Sequence, residues 1–116
     1  MNEINIGLLG LGTVGSGVVK ILNSHRADLE ERAGCRLALR AVADMDMSRP
    51  REGIDLASLP LTPDAGSVLD DPAIQIVIEL VGGLEPARSF ILRALQNGKH
   101  VVTANKALLA HHGFEL

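Results

Sequence analysis

Ile4-Asn5-Ile6-Gly7-Leu8-Leu9-Gly10-Leu11-Gly12-Thr13-Val14-Gly15 decides the fold: a short aliphatic strand enters a Gly-x-Gly-x-x-Gly turn and continues as a helix. In such a turn Gly10 permits the tight bend, Gly12 lets a backbone approach a pyrophosphate, and Gly15 lets the helix pack against the sheet. The helix presents free N–H groups and the positive end of its dipole, a phosphate site that needs no cationic side chain. A tight turn without a ligand is the alternative, and the surroundings weigh against it. The run before Gly10 is aliphatic, as in a strand buried on both faces, while Val14, Val18, Ile21 and Leu22 recur at helical spacing as a stripe toward the sheet. Small Ser16 and Gly17 keep the first turn slim.

Working outward, 116 residues allow one domain with a real core but are short for a two-domain enzyme. Hydrophobic residues make up 47%, yet Phe90 and Phe114 are the only aromatics, so the core is built from Val, Ile, Leu and Ala. That composition suits parallel strands covered by helices. A net charge of −3 with scattered arginines gives no basic patch for nucleic acid. Cys35 is the sole cysteine, which rules out an internal disulfide and a thiolate metal cluster and fits a cytoplasmic protein. It reads as a small core residue, with reactivity the minor option. No stretch approaches the ~20 apolar residues of a membrane span.

After the first helix comes a polar run, His25 to Arg32, with Gly34 as its stop. Leu37–Ala43 reads as a second strand ending at Asp44. From Met45 to Pro63 the period is lost and Pro50, Gly53, Pro60 and Pro63 mark a surface excursion. Asp64 to Leu69 suits a short helix, ended by Asp71-Pro72. Ile74–Val81 is a third strand running into Gly82-Gly83, and Pro86 opens a helix with an apolar stripe of Ala87, Phe90, Ile91, Ala94 and Leu95, closed by Asn97-Gly98. His100–Ala104 is a fourth strand, and Asn105-Lys106 begins a last helix over residues 107–112. This alternation implies right-handed crossovers and a doubly wound, Rossmann-like parallel sheet over residues 1–116. The loops at Gly10–Gly15, Asp44, Val81–Gly83 and 104–106 then gather at the edge where such sheets bind ligands.

Lys106 breaks a local rule, since a cation near a helix N-terminus opposes the dipole by roughly 0.3–1 kcal/mol. Such breaks concentrate at functional sites, although a lysine reaching into solvent is the competing reading. Asn105 reads equally well as a helix N-cap or a ligand contact. Asp44 is placed to accept bonds from ribose hydroxyls, which favours a dinucleotide without a 2′-phosphate, or it is a plain turn residue. Arg49 and Arg51 follow closely, and their guanidinium groups would suit that phosphate if the loop folds back, so NAD against NADP stays open. Glu79 is costly to bury without a partner and reads as structural support. The adjacent His111-His112 point about 100° apart and chelate poorly, and neither a metal set nor a nucleophile triad can be assembled.

With these residues quoted, the chain resembles the N-terminal part of homoserine dehydrogenase. The likeness is carried by Gly7 to Val19, by Ile78-Glu79-Leu80-Val81-Gly82-Gly83, and most specifically by Gly98-Lys99-His100-Val101-Val102-Thr103-Ala104-Asn105-Lys106-Ala107-Leu108-Leu109-Ala110. The resemblance implies NAD- or NADP-dependent interconversion of L-homoserine and L-aspartate 4-semialdehyde, on the route to threonine, methionine and isoleucine. It implies that the turn from Gly10 to Gly15 holds the pyrophosphate and that Gly82 and Gly83 pass the nicotinamide side; together with the residue readings above, the candidate cofactor contacts are Gly10, Gly12, Thr13, Val14, Gly15, Asp44, Arg49, Arg51, Val81, Gly82, Gly83, Thr103, Asn105 and Lys106. Lys106 would be the active-site lysine. Members of the family continue into a second domain with most substrate contacts, further catalytic residues and the oligomer interface. The chain is therefore expected to be a cofactor-binding fragment, inactive alone, of a homo-oligomeric cytoplasmic parent. Two competing readings are a dinucleotide-sensing regulatory module and a sugar or inositol dehydrogenase, whose Glu-Lys-Pro would stand where Asn105-Lys106-Ala107 does.

Overall fold

The computed structural model describes residues 2–81 and 86–103. Five strands form one sheet: β1 (Glu3–Leu9), β2 (Arg36–Ala43), β3 (Leu61–Thr62), β4 (Ile76–Glu79) and β5 (His100–Thr103). Their order is β3-β2-β1-β4-β5 and every neighbouring pair is parallel, the arrangement of a doubly wound α/β fold. Helices α1 (Thr13–Ser24), α2 (Arg26–Ala33), α3 (Ala65–Leu69) and α4 (Ala87–Gln96) fill the crossovers. The expected last helix, with His111 and His112, lies outside the described residues.

Alternation along β1 divides the core. Leu8 packs with Leu11, Val19 and Val42 on the α1 side, whereas Leu9 packs with Val68, Leu69, Val77 and Ala94 on the side of α3 and α4. Each such aliphatic side chain contributes about 1.5–3 kcal/mol when fully buried. Parallel strands with both faces covered need the near-continuous aliphatic runs seen in β1 and β4.

Three sequence expectations need correction. The α1 stripe is rotated: Gly15, Ser16, Val19 and Leu22 are buried, whereas Val14 and Ile21 are 61% and 53% exposed. Gly15 sets that phase, because its Cα is pressed against the Gly10 carbonyl. Secondly, the 45–63 excursion is anchored. Ile54, Leu56 and Leu59 pack on the α1-side core, and Leu61–Thr62 forms β3 beside β2, so the sheet has five strands where four were expected. Thirdly, Pro86 is the N-cap of α4, one position before its first turn. The chain also breaks at His25, which caps α1 and starts α2, and Gly34 ends α2 at φ 72°.

Polar groups tie α3 and α4 to the sheet and to each other. Asp64 caps α3 through the Gly66 N–H at 2.9 Å. Asp70 is paired with Arg93 of α4, and Asp71 accepts from Arg40 Nε of β2 at 2.7 Å. The Arg93 guanidinium holds Asp70, and the Arg40 guanidinium holds Asp71, below the ordinary carboxylate value of 3.8. Lys99 Nζ, on a nearly buried side chain, donates to the carbonyl of Ile74 at 2.7 Å. Among the described residues no helix is long and apolar enough to cross a membrane.

Because both carboxyl groups are lowered in the folded state, the stability they give is present above the ordinary value and lost as pH falls through the lowered values. The thermal midpoint, followed by circular dichroism, is expected to decline modestly below about pH 4, since both pairs are solvent-exposed. Asp71→Asn should lower the midpoint at neutral pH and converge with the parent chain in acid.

Candidate functional site

The strands finish in one transverse row. Thr62, Ala43, Leu9, Glu79 and Thr103 are register partners from one edge of the sheet to the other. The residues that follow this row build the site. Gly10 leaves β1 at φ 99°, a region that L side chains rarely adopt, with its N–H donating to Ala43 O at 2.8 Å. A Cβ on Gly10 would stand 3.0 Å from the Leu80 carbonyl group, and one on Gly15 would stand 2.1 Å from Gly10 O. Both glycines are therefore demanded by protein atoms.

Gly12 differs. Its φ of −87° is open to any residue, and a Cβ there would meet nothing within 4 Å. Its lack of a side chain keeps a space clear at the start of α1. The first intrahelical bond runs from Ser16 N–H to Gly12 O at 2.8 Å, and no side chain caps the helix. The N–H groups of Thr13, Val14 and Gly15 thus have no acceptor within the helix and aim at that space. A dinucleotide pyrophosphate fits this cradle on both counts, room and donors.

Asp44 continues directly from β2. Its Oδ2 accepts from Leu11 N–H at 2.7 Å, its Oδ1 from Asp46 N–H at 2.8 Å, and Arg51 Nη2 stands 3.5 Å from Oδ1. The carboxylate braces the glycine turn against the following loop. Arg51, 7% exposed, donates through Nε to Leu11 O at 3.0 Å, through Nη1 to Arg49 O and through Nη2 to Asp46 O, both at 2.7 Å. Its guanidinium is spent on backbone carbonyls. The exposed Arg49 side chain makes a single hydrogen bond among the described residues, from Nη2 to Leu11 O at 3.4 Å. Backbone N–H groups of Arg49 and Ser48 hold the Asp46 carboxyl below its ordinary range.

At the β4 and β5 ends, Glu79 is fully buried. Its Oε1 accepts from Val81 N–H at 2.8 Å and its Oε2 from the Thr103 hydroxyl at 2.6 Å. This joins two loops of the ligand edge. The edge therefore brings together Gly10, Gly12, Thr13, Val14, Gly15, Asp44, Arg49 and Arg51 around the first turn, with Val81 and Thr103 linked through Glu79. Gly82, Gly83, Asn105 and Lys106 lie outside the described residues.

Sequence reasoning passed over two residues. A groove of about 550 Å³ beside the glycine turn is lined by Gly12, Thr13, Ser16, Lys20 and Arg49 among others. Ser16 is 6% exposed and its hydroxyl has no hydrogen-bond partner among the described residues. Thr13, Ser16 and Lys20 fall at i, i+3 and i+7, a one-face spacing that was available in the sequence.

Residues 10–116 match the family described as homoserine dehydrogenase, NAD binding domain. The homoserine dehydrogenase of Bacillus subtilis is 47% identical over 116 residues, all of this chain and 27% of the relative. The crystal structure of S. aureus homoserine dehydrogenase at pH 6.0 superposes with a TM-score of 0.91 at 41% identity, covering 100% of this chain and 30% of the other. That of the Thiobacillus denitrificans enzyme gives 0.90 at 46% identity, covering 99% and 26%. The chain thus spans about a quarter of the length of these relatives.

Two substitutions should separate room for ligand from room for protein. Gly12→Ala is expected to keep the thermal midpoint while weakening dinucleotide affinity at least about tenfold, read by titration. Gly15→Ala should destabilise the fold by about 3 kcal/mol or more in urea, since backbone must move to admit the methyl. Arg51→Met should also cost about 3 kcal/mol by removing the cation beside Asp44 and leaving the Arg49 and Asp46 carbonyls without its guanidinium donors, whereas Arg49→Met should leave stability unchanged.

Proposed function

The chain belongs to the homoserine dehydrogenase family as its NAD-binding domain, and from that premise we propose that it is the cofactor half of an enzyme interconverting L-homoserine and L-aspartate 4-semialdehyde with NAD or NADP. The observation that carries the reading is the open space at Gly12 in front of the uncapped α1 N-terminus. When bound, the dinucleotide supplies the hydride chemistry at its nicotinamide ring.

The chain's own residues bind and orient. Thr13, Val14 and Gly15 offer N–H donors to the pyrophosphate, with Gly10 and Gly12 admitting it. Asp44 fixes the turn and borders the adenosine side. Val81 and Thr103, coupled through Glu79, support the nicotinamide side, and the sequence resemblance is our ground for adding Gly82, Gly83 and Asn105 to it. Lys106 acts as the active-site lysine, its ammonium meeting the substrate oxygen and moving or stabilising the proton there.

The substrate domain and the surfaces of a homo-oligomer belong to the remaining length of the parent, which we place in the cytoplasm. The chain alone is a domain that binds without turning over. Relative to a purely sensing module, the discriminating residue is Lys106, which a sensor does not require.

The chain has no Trp or Tyr, so nicotinamide emission can be followed against a dark protein background. Titration with NADH or NADPH is expected to show saturable enhancement. L-Homoserine with either oxidised cofactor should give no absorbance increase at the reduced-nicotinamide band. In a full-length parent, Lys106→Ala should cut kcat by about 10²–10⁴, the usual contribution of a positioned proton-transfer group, with dinucleotide affinity retained. Failure of both dinucleotides to bind, or loss of affinity in place of turnover, would refute the reading.

A further inference from the structure

β4 is Ile76-Val77-Ile78-Glu79, three aliphatic residues and then a carboxyl group that is 0% exposed. Its register partners are Leu9 on one side and Thr103 on the other. None of the ion pairs among the described residues includes Glu79. A buried carboxyl group gives up its hydration with no countercharge to offset the loss, and an apolar side chain would fill the place more easily. What Glu79 has instead is two hydrogen bonds, from Val81 N–H at 2.8 Å and from the Thr103 hydroxyl at 2.6 Å.

Each bond holds a segment that a dinucleotide enzyme must place. The Leu80–Val81 peptide is the surface on which the glycine turn rests: a Cβ on Gly10 would lie 3.0 Å from the Leu80 carbonyl group and 3.2 Å from Val81 N. Directly after Val81 come Gly82 and Gly83, which carry no side chains to anchor a loop. Thr103 is the last residue of β5, an edge strand that pairs with β4 alone among the described residues. Lys106 follows three residues later, so its Cα lies within about 11 Å of the Thr103 Cα. One carboxyl group therefore joins the support of the pyrophosphate turn, the start of the glycine pair and the strand that leads to the lysine.

We propose that Glu79 is a positioning residue for hydride transfer, fixing the origin of the Lys106 segment relative to the nicotinamide-side loop. The proposal rests on the enzyme reading above. Because Glu79 is fully buried, it acts through Val81 and Thr103 and does not touch the reacting atoms. A carboxylate suits the task because it accepts through two oxygens at once, whereas a glutamine of the same reach offers one acceptor and one donor group. Proton transfer at the substrate oxygen and hydride transfer at the nicotinamide must share one geometry, and a shift of about 1 Å in either partner costs on the order of 10²-fold in rate.

The test compares stability, binding and turnover for Glu79→Leu, Glu79→Gln, Thr103→Val and the double variant Glu79→Leu/Thr103→Val. In the chain, the double variant should keep the thermal midpoint within about 5 °C, since both ends of a side-chain contact become apolar together. Adenosine 5′-diphosphoribose, which lacks the nicotinamide, should bind every variant within about twofold of the unaltered chain, read by displacement of NADH. In a full-length parent, Glu79→Leu and Thr103→Val should each lower kcat by about 10²-fold, while KM for L-homoserine changes less than about threefold. The double variant should cost no more than Glu79→Leu alone, because one link is being cut twice. Glu79→Gln can still accept from Val81 N–H and donate to the Thr103 hydroxyl oxygen, so it should recover kcat to within about tenfold of the parent.

Unchanged kcat in both single variants, Glu79→Leu and Thr103→Val, overturns the positioning role and leaves the enzyme reading standing. So does additive loss in the double variant, which would make the two side chains independent. Loss of adenosine 5′-diphosphoribose affinity in step with kcat overturns it too, since the whole site and not the Lys106 segment would have moved. If Glu79→Leu does not fold, Thr103→Val decides: kcat lost with the thermal midpoint kept supports the role, and kcat kept overturns it. An unaltered parent that does not turn over L-homoserine removes the enzyme reading and the positioning role with it.

Discussion

A methyl group on Gly15 would stand 2.1 Å from the carbonyl oxygen of Gly10, and much of the site follows from that one contact. The helix can lie so close to the strand end only with its Gly15 edge inward. At about 100° per residue, Val19 and Leu22 must then share the buried face, as they do. One flank carries Thr13, Ser16 and Lys20 into the groove under the 45–60 loop. The opposite flank puts Val14 and Ile21 on the surface. A steric fact about a glycine thereby decides which side chains of α1 meet the core and which line the groove.

The same contact explains where sequence reading worked and where it failed. β1, β2, β4 and β5 are aliphatic runs ending at Gly, Asp or a polar residue, and a buried parallel strand leaves little else for such runs to be. The face of α1 was misread because Val14, Val18, Ile21 and Leu22 make a plausible stripe by hydropathy, while the force that sets the phase is carried by a residue with no side chain. β3 escaped notice for a different reason. It is two residues long and lies between Pro60 and Pro63, so its only signal is punctuation that also marks loops. The 45–63 stretch looked like a surface excursion because Ile54, Leu56 and Leu59 are spaced irregularly; they reach the core through turns and not through a repeating period.

Glu79 shows what the fold tolerates to hold the ligand edge. A fully buried carboxyl group in the sheet is expensive, and an aliphatic residue would pack there at less cost. Its two oxygens instead take one donor from the loop after β4 and one from the end of β5. Two neighbouring strand ends are tied at the height where the site begins. The reading of Glu79 as structural support therefore has a definite object: the relative position of Val81 and Thr103.

Leu11 shows the corresponding device on the other side. Its side chain is buried in the core, and both of its backbone polar groups are taken by side chains from beyond β2, the N–H by Asp44 and the carbonyl by Arg51 with Arg49. The glycine turn and the loop that follows β2 are therefore one hydrogen-bonded unit, not two loops that happen to be near. Arg51 buried and Arg49 exposed divide the work two residues apart: one guanidinium fixes the loop carbonyls, which leaves the other at the rim with donors to spare. Without the Arg51 guanidinium on these carbonyls, the loop would lack its internal tie and the turn its rigidity. A ligand resting on the α1 N-terminus thus meets a rim whose geometry is already set by the protein, and the chemistry of that rim is decided by the cations the loop does not use.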